Sequence, residues 1–200
     1  MDYNVLSWIN EVLGNNKFVA VFARILSFIG DKWGMIAIVV LLLCFKKTRK
    51  IGFYVMVAGG LTWVINDLII KLIVKRDRPF VTYPELENMC KLAGEKLPDG
   101  YSFASGHSAT AMAVAVAIMF FSKKWGSVAA SVAFLIGVSR LILCVHYPTD
   151  VIAGFAVGIV CSIALHYLTN LGFKIINSIR RNKNEKNSVS DKKSKQSEGV

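Results

Sequence analysis

The sequence predicts an all-helical integral membrane protein, a six-helix bundle, and three observations predict it. Hydrophobic residues make up 54% of the 200 positions and charged residues only 18%, against roughly 45–50% and 25% in soluble chains. The mean hydropathy of +0.48 means more apolar surface than a soluble chain this size can keep from water, so a bilayer is the solvent. The apolar residues are also gathered into six stretches, near 18–30, 33–45, 51–70, 104–121, 125–145 and 151–173. With 15 Gly, 4 Pro and 4 Cys, the composition excludes a collagen-like repeat, a disulfide scaffold and a disordered chain. The net charge of +11 sits in short clusters between apolar runs and near the C-terminal end. That pattern speaks for anionic lipid headgroups and against nucleic acid as a partner.

Each stretch is justified by length. A hydrocarbon core ~30 Å thick needs about 20 helical residues, and Ile51–Ile70, Trp125–Val145 and Val151–Phe173 meet that. Ala104–Phe121 nearly does. Phe18–Gly30 and Trp33–Phe45 are short and separated by Asp31-Lys32, and they read as a helical hairpin. The first eleven residues, with Trp8 and Ile9 near Asp2 and Glu11, read as an amphipathic helix at the interface. No basic segment precedes an apolar run and a small-residue cleavage site, so no removed signal peptide is expected. Residues 1–176 form the expected membrane domain. From 177 to 200 the chain is rich in Lys, Asn and Ser and is expected to be a disordered basic tail. Cys44 and Cys161 are small apolar residues within spans, and Cys90 and Cys144 read as two free thiols, with a bridge between them as the alternative.

Charge fixes the expected orientation. Six crossings place 46–50, 122–124, the N-terminus and the tail on one side, with 15 of the 24 Lys and Arg there and eight opposite. The basic side is expected to be cytoplasmic at a plasma membrane. The connection from Lys71 to Phe103 and the turn His146–Asp150 then face outward.

Three clusters on that outer side carry chemistry. Charges within or at the ends of membrane helices are expensive, up to roughly 2.5–3.5 kcal/mol each at a helix centre, so each needs a reason. Lys71 followed by Arg78-Pro79 places two cations where they can grip a phosphate. Taken alone, with Lys75 and Arg76 beside them, they read first as headgroup anchors. Asp67, one turn from Lys71, reads as its ion-pair partner. Ser105-Gly106-His107-Ser108 opens a helix, whose free N–H groups and positive dipole end attract anions. Either serine alone reads equally as an N-cap. His107 there can protonate a leaving oxygen. Ser139-Arg140, then His146 and Asp150, supplies a third cation and a histidine oriented by a carboxylate four residues on, although a structural His–Asp pair fits that spacing as well. His166, mid-span, reads as a packing residue. Cys/His metal-ligand spacing is absent, so no metal or other cofactor is expected.

Lys-x6-Arg-Pro, then Ser-Gly-His, then Ser-Arg-x5-His-x3-Asp resembles the three-part signature of the type 2 phosphatidic acid phosphatase family, also called lipid phosphate phosphatases. The second motif departs from it where Ala104 stands in place of the usual proline. The resemblance implies that His146 attacks phosphorus and forms a phosphohistidine, that Asp150 orients it and that His107 protonates the leaving group. It implies that Lys71, Arg78, Ser105, Gly106 and Arg140 hold the phosphate oxygens. Small size and short loops resemble bacterial undecaprenyl pyrophosphate phosphatases, with phosphatidic acid and phosphatidylglycerol phosphate as competing lipid substrates. The same pocket in a non-catalytic anionic-lipid binder, or in a vanadate-dependent haloperoxidase, gives the alternative readings. Both histidines and Asp150 argue against the first and the apolar spans against the second.

Overall fold

The computed structural model describes residues 1–13 and 16–197, with side chains up to Arg181. The described residues are helical, with no strand among them. They divide into two compact units, Met1–Ile163 and Ala164–Val200. The greater part of the expected tail lies outside the residues whose side chains are described.

In the first unit, α1 (Asp2–Leu13) precedes α2 (Lys17–Gly30) and α3 (Lys32–Cys44). Asn16 caps α2 by accepting from the Phe18 and Val19 N–H groups, which satisfies two of its free donors. α2 and α3 continue one another across Asp31 with a bend of 52°. The hairpin expected of 18–30 and 33–45 is thus a bent pair. One extended residue, Asp31, is too short to reverse a helix, which takes about 2–5 loop residues. Gly34 lets the junction close, since a Cβ there would fall 2.5 Å from the Ile29 carbonyl oxygen.

α4 (Arg49–Trp63) buries Gly52, Val55, Ala58, Gly59 and Thr62, a stripe at helical spacing that faces the next long helix. It passes through a π-helical turn, Val64–Ile70, into α5 (Lys71–Val74). That turn re-aims the chain, so that Asn66 is buried and its amide donates to the Ala104 carbonyl at 3.0 Å. Lys75 ends α5 in the left-handed conformation. Short helices α6 (Pro79–Thr82) and α7 (Asn88–Ala93), with a 3-10 turn at Pro84–Glu87 between them, build the connection over this end. α8 (Gly106–Met119) and α9 (Lys123–Ile142) pack through Ala111, Ala115, Ala133 and Ile136. α8 is shorter than the apolar stretch that contains it, and α9 starts two residues before its stretch and ends three residues short of the end of it. Leu143, Cys144 and Val145 leave the helix for the turn that carries His146, with Cys144 at φ 54°. α10 (Pro148–Ser197) starts at Pro148, as the fixed φ of proline allows, and spans the two units.

Three helical segments, Arg49–Thr82, Lys123–Ile142 and Pro148–Arg181, are long and apolar enough to cross a membrane, and a fourth when the bent pair counts as one. Gly106–Met119 is apolar but shorter. Many large apolar side chains on these helices face outward, among them Phe53, Phe134, Ile152 and Val160. The chain is a helical membrane protein. α8 and α10 approach closely, since a Cβ on Gly154 would sit 2.6 Å from the Ser105 oxygen and one on Gly158 would strike the Ala109 oxygen. The Gly-x-x-x-Gly face therefore meets α8 of the same chain. Ser162, in the same unit, donates to the Ala113 carbonyl at 2.8 Å.

In the second unit the described residues are helical. Asn170 and His166 meet within it at 3.0 Å between Nδ2 and Nε2, at the surface of the helix.

The placement of α1 and α2 corrects the sequence reading. Leu6 of α1 is fully buried against Leu86, Cys144 and Tyr147. Ala20 and Ala23 of α2 pack on Met89, Cys90 and Val145. The N-terminal helix therefore lies at the end of the molecule where the three clusters meet, not with the basic loops at 46–50 and 122–124.

Candidate active site

The bend between α2 and α3, the α4–α5 segment, the start of α8, the end of α9 and the turn that carries His146 converge on one cavity of about 440 Å³. Six of the eight residues expected at the site line it: Lys71, Arg78, Gly106, His107, Arg140 and His146. The other two stand behind it, fully buried, and tie the second and third motifs together: the Ser105 N–H donates to the Asp150 carbonyl at 3.0 Å.

Arg78, 5% exposed, is fixed by carbonyls. Its Nε donates to Gly100 at 3.0 Å, and its Nη1 and Nη2 donate to Val145 at 3.1 Å and Asp99 at 3.3 Å. Neutral acceptors leave its charge uncompensated for an anion in the cavity. Nη1 also lies 3.4 Å from Nε2 of His146. Lys71 pairs with Asp67 one turn away, as expected. Asp67 also approaches Gly106 so closely that a Cβ there would come 3.0 Å from its Oδ2. Glycine is thus the residue that lets a carboxylate reach the start of α8. Ser105 occupies the N-cap position but makes no capping bond. Its oxygen instead accepts from the Ser108 hydroxyl at 3.0 Å.

His146 is 2% exposed. Its Nδ1 lies 3.6 Å from Asp150 Oδ2 and 3.4 Å from the Ser102 hydroxyl, which itself bonds Asp150 Oδ2. Ser102 thus bridges the pair. Oδ2 also accepts the Tyr147 N–H at 2.9 Å. With Nδ1 engaged on the Asp150 side, Nε2 faces the cations. Burial first, then Arg78 and Arg140, hold the imidazole below its ordinary value, against the upward pull of Asp150. The neutral ring is the form that can attack an electrophile.

Sequence reasoning missed five residues here. Asp31, at the bend between α2 and α3, lines the cavity with Oδ1 3.9 Å from His107 Nε2. Arg140 is met by Ser27 of α2 and by Glu95 Oε1 at 3.3 Å. Ser102 and Arg76 attend Asp150. Arg76 lies within the first motif and was read as an anchor, Glu95 and Ser102 lie in the connection between the first two motifs, and Ser27 and Asp31, about 40 residues before any motif, gave no signal. Among the described residues no group of three or more His, Cys, Asp or Glu is placed to hold a metal ion.

The arrangement can bind a tetrahedral anion between three cations and a helix start, and can present a nucleophile and a proton donor to it. Fold and site together define a helical membrane protein with a cavity lined by Lys71, Arg78, Arg140 and two histidines. The PAP2 superfamily model matches residues 47–173, and the chain belongs to that superfamily of phosphatases. It is 34% identical over 134 residues to an undecaprenyl-diphosphatase of Sulfolobus acidocaldarius. That match covers 66% of this chain and 62% of the relative, less than two thirds of its length. It is 27% identical over 161 residues to the undecaprenyl-diphosphatase BcrC of Bacillus subtilis, covering 80% of each. In fold it resembles the crystal structure of Aquifex aeolicus LpxE, with a TM-score of 0.69, 23% identity and coverage of 83% of this chain and 94% of that one.

Proposed function

We propose that this protein is a metal-independent lipid phosphatase that removes the terminal phosphate of a membrane lipid, with undecaprenyl diphosphate as its substrate. One observation carries the lipid reading: the phosphate cavity continues into an almost wholly apolar groove of about 360 Å³ between α3, α4 and α8. The two share Met35, Ile36, Gly59, Gly60 and Thr110. A headgroup among the cations thus leaves its apolar tail a dry path into the bilayer. The names of the two relatives above favour the isoprenyl diphosphate over a glycerolipid phosphate.

The chemistry follows from the residues. His146 Nε2 forms a bond to phosphorus as the bond to the leaving oxygen breaks, and His107 gives that oxygen its proton. Water then attacks the phosphohistidine, His107 takes the water's proton, the N–P bond breaks and inorganic phosphate departs. Lys71, Arg78, Arg140 and the start of α8 at Ser105-Gly106 hold the phosphate oxygens throughout. Asp150 orients His146, and Asp31 stands beside His107 as its charge partner.

The bent α2–α3 pair counts as one crossing in this reading. The six apolar segments then make five crossings, with residues 1–176 as one membrane domain. The cations at 46–50 and 122–124 place those loops in the cytoplasm. The site then opens on the extracytoplasmic side of the plasma membrane, and the basic segment from 177, by its own charge, is cytoplasmic.

The test is phosphate release by purified protein in detergent with excess chelator. Undecaprenyl diphosphate, phosphatidic acid and phosphatidylglycerol phosphate are offered side by side. Turnover should survive the chelator and vanish in His146→Ala. Full activity in folded His146→Ala would end the mechanism. A tenfold higher kcat/KM on either glycerolipid, about 1.4 kcal/mol of transition-state preference, would end the substrate assignment.

A further inference from the structure

Behind the cavity lies an ion-pair network that the motif residues do not explain. Arg76 does not line the cavity. Its Nη1 donates to Asp150 Oδ1 at 2.8 Å and to the Thr149 hydroxyl at 2.7 Å. Its Nη2 donates to Asp2 Oδ2 at 2.8 Å, and Thr149 donates to that same oxygen at 2.5 Å. The guanidinium stacks 3.8 Å over the Tyr147 ring, and the Arg76 carbonyl accepts the Ser102 N–H at 2.8 Å.

The two oxygens of Asp150 are therefore divided. Oδ1 belongs to Arg76, and Oδ2 to Ser102, the Tyr147 N–H and the His146 side. Asp150 is fully buried, and a carboxylate in that position is costly without a charged partner. A planar guanidinium fork fixes its plane as well as its charge. Asp2 occupies the other half of the fork and keeps Arg76 from swinging toward the phosphate. Burial opposes ionisation of Asp2, but the Thr149 hydroxyl and Arg76 outweigh it and hold its carboxyl below the usual range. α1 is in turn fixed by buried Leu6 and by Tyr3, whose ring lies 4.2 Å from that of Tyr83.

We propose that Arg76 is a positioning residue for the Asp150–His146 pair, and that Asp2 on the N-terminal helix holds it in place. The proposal rests on the phosphatase reading above and adds to it a part of the chain outside all three motifs. It makes α1 the back wall of the active site.

The test uses the full chain in detergent, with Arg76→Gln, Arg76→Lys and Asp2→Asn made alone and in an Asp150→Asn background. Hydrolysis of undecaprenyl diphosphate, phosphatidic acid and phosphatidylglycerol phosphate is followed, and the His146 ring is titrated by nitrogen NMR. Asp150 and Ser102 face that ring at Nδ1, Arg78 faces it at Nε2, and Arg140 and His107 lie across the cavity. Arg76→Gln should lower kcat about tenfold, or about 1.4 kcal/mol, and leave KM within about twofold, since no phosphate contact is lost. Asp2→Asn should give a smaller loss of the same kind, and Arg76→Lys should recover most of the rate. In Asp150→Asn protein the Arg76 change should cost little more, because the two act as one unit. A loss in KM instead of kcat, or equal losses with and without Asp150, overturns the proposal. If wild-type protein cleaves none of the three lipids, the phosphatase reading falls. The positioning claim is then decided by the ring alone: Arg76→Gln should raise its titration midpoint, and an unmoved midpoint overturns it.

Discussion

His146 combines near-complete burial with a ring of cations, and both act in one direction. They hold its imidazole below the ordinary 6.5, at about 3. The unfolded chain then binds a proton that the folded chain refuses between those two values. The contribution of His146 to stability is therefore complete above pH 6.5 and is lost as the pH falls toward the folded value. Two outcomes are expected. The pH profile of kcat/KM should show no acid limb from His146 between about pH 5 and 8. His146→Asn should flatten the loss of stability on acidification, measured by thermal unfolding in detergent. An acid limb centred near the ordinary histidine value, present in wild type and moved by changes at Asp150, would contradict the buried, cation-ringed setting. The same burial governs Cys90, whose thiol is pushed up to about 12 by burial first and by Glu95 next, and which lies against the Leu143 carbonyl. It is a packing residue, not a reactive one.

Helix α8 begins at the cation-lined cavity and owes its place to the small residues along it. Gly154 and Gly158 bring α10 against its backbone, where a methyl on Gly158 would strike the Ala109 oxygen and sit 2.8 Å from the Ala113 nitrogen. Backbone atoms cannot move aside as a side-chain tip can. Gly158→Ala should therefore cost about 1–3 kcal/mol of stability through enforced separation of the helices. Gly60→Ala has nothing within 4 Å of the new atom and should be neutral or stabilising by up to about 1 kcal/mol. Unfolding of the two variants in mixed micelles measures the difference, and equal stabilities would mean that α8 and α10 do not meet there. The small-residue pattern was legible in the sequence because close backbone approach demands small side chains. The bend between α2 and α3 was not. Asp31-Lys32 looked like a loop between two short apolar runs, and its single extended residue is a geometric fact that composition does not carry.

At the scale of the whole chain, the basic loops and the site lie at opposite ends of the same helices. α3 ends and α4 begins at 46–50, whereas α5 and the start of α8 meet at the cavity. Orientation is checked with a membrane-impermeant thiol reagent on intact cells. Native Cys90, 1% exposed, is unsuitable, so the probes are Lys96→Cys in the outer connection and Lys47→Cys in the basic loop, both at exposed positions, in a background lacking the exposed Cys44. The first should label and the second should not. The reverse pattern would put the site in the cytoplasm and overturn the loop-charge argument.

The membrane class, the apolar segments and six of the residues that line the cavity were legible in the amino-acid sequence. Insertion into a bilayer and the spacing of charged residues at a helix end are local properties, readable from a few consecutive positions. Only the tertiary structure decided which partner each charge meets. Arg76 reaches Asp150 across 74 positions, Arg140 reaches Ser27 across 113, and Asp31 faces His107 from the bend of a different helix pair. Asp2 enters the site from the far end of the chain because Leu6 has a buried seat against Leu86 and Tyr147. Pairing at such separations depends on how whole helices pack. A charged residue costs the same wherever it is written in the chain, and the fold alone supplies the opposite charge that makes its burial tolerable.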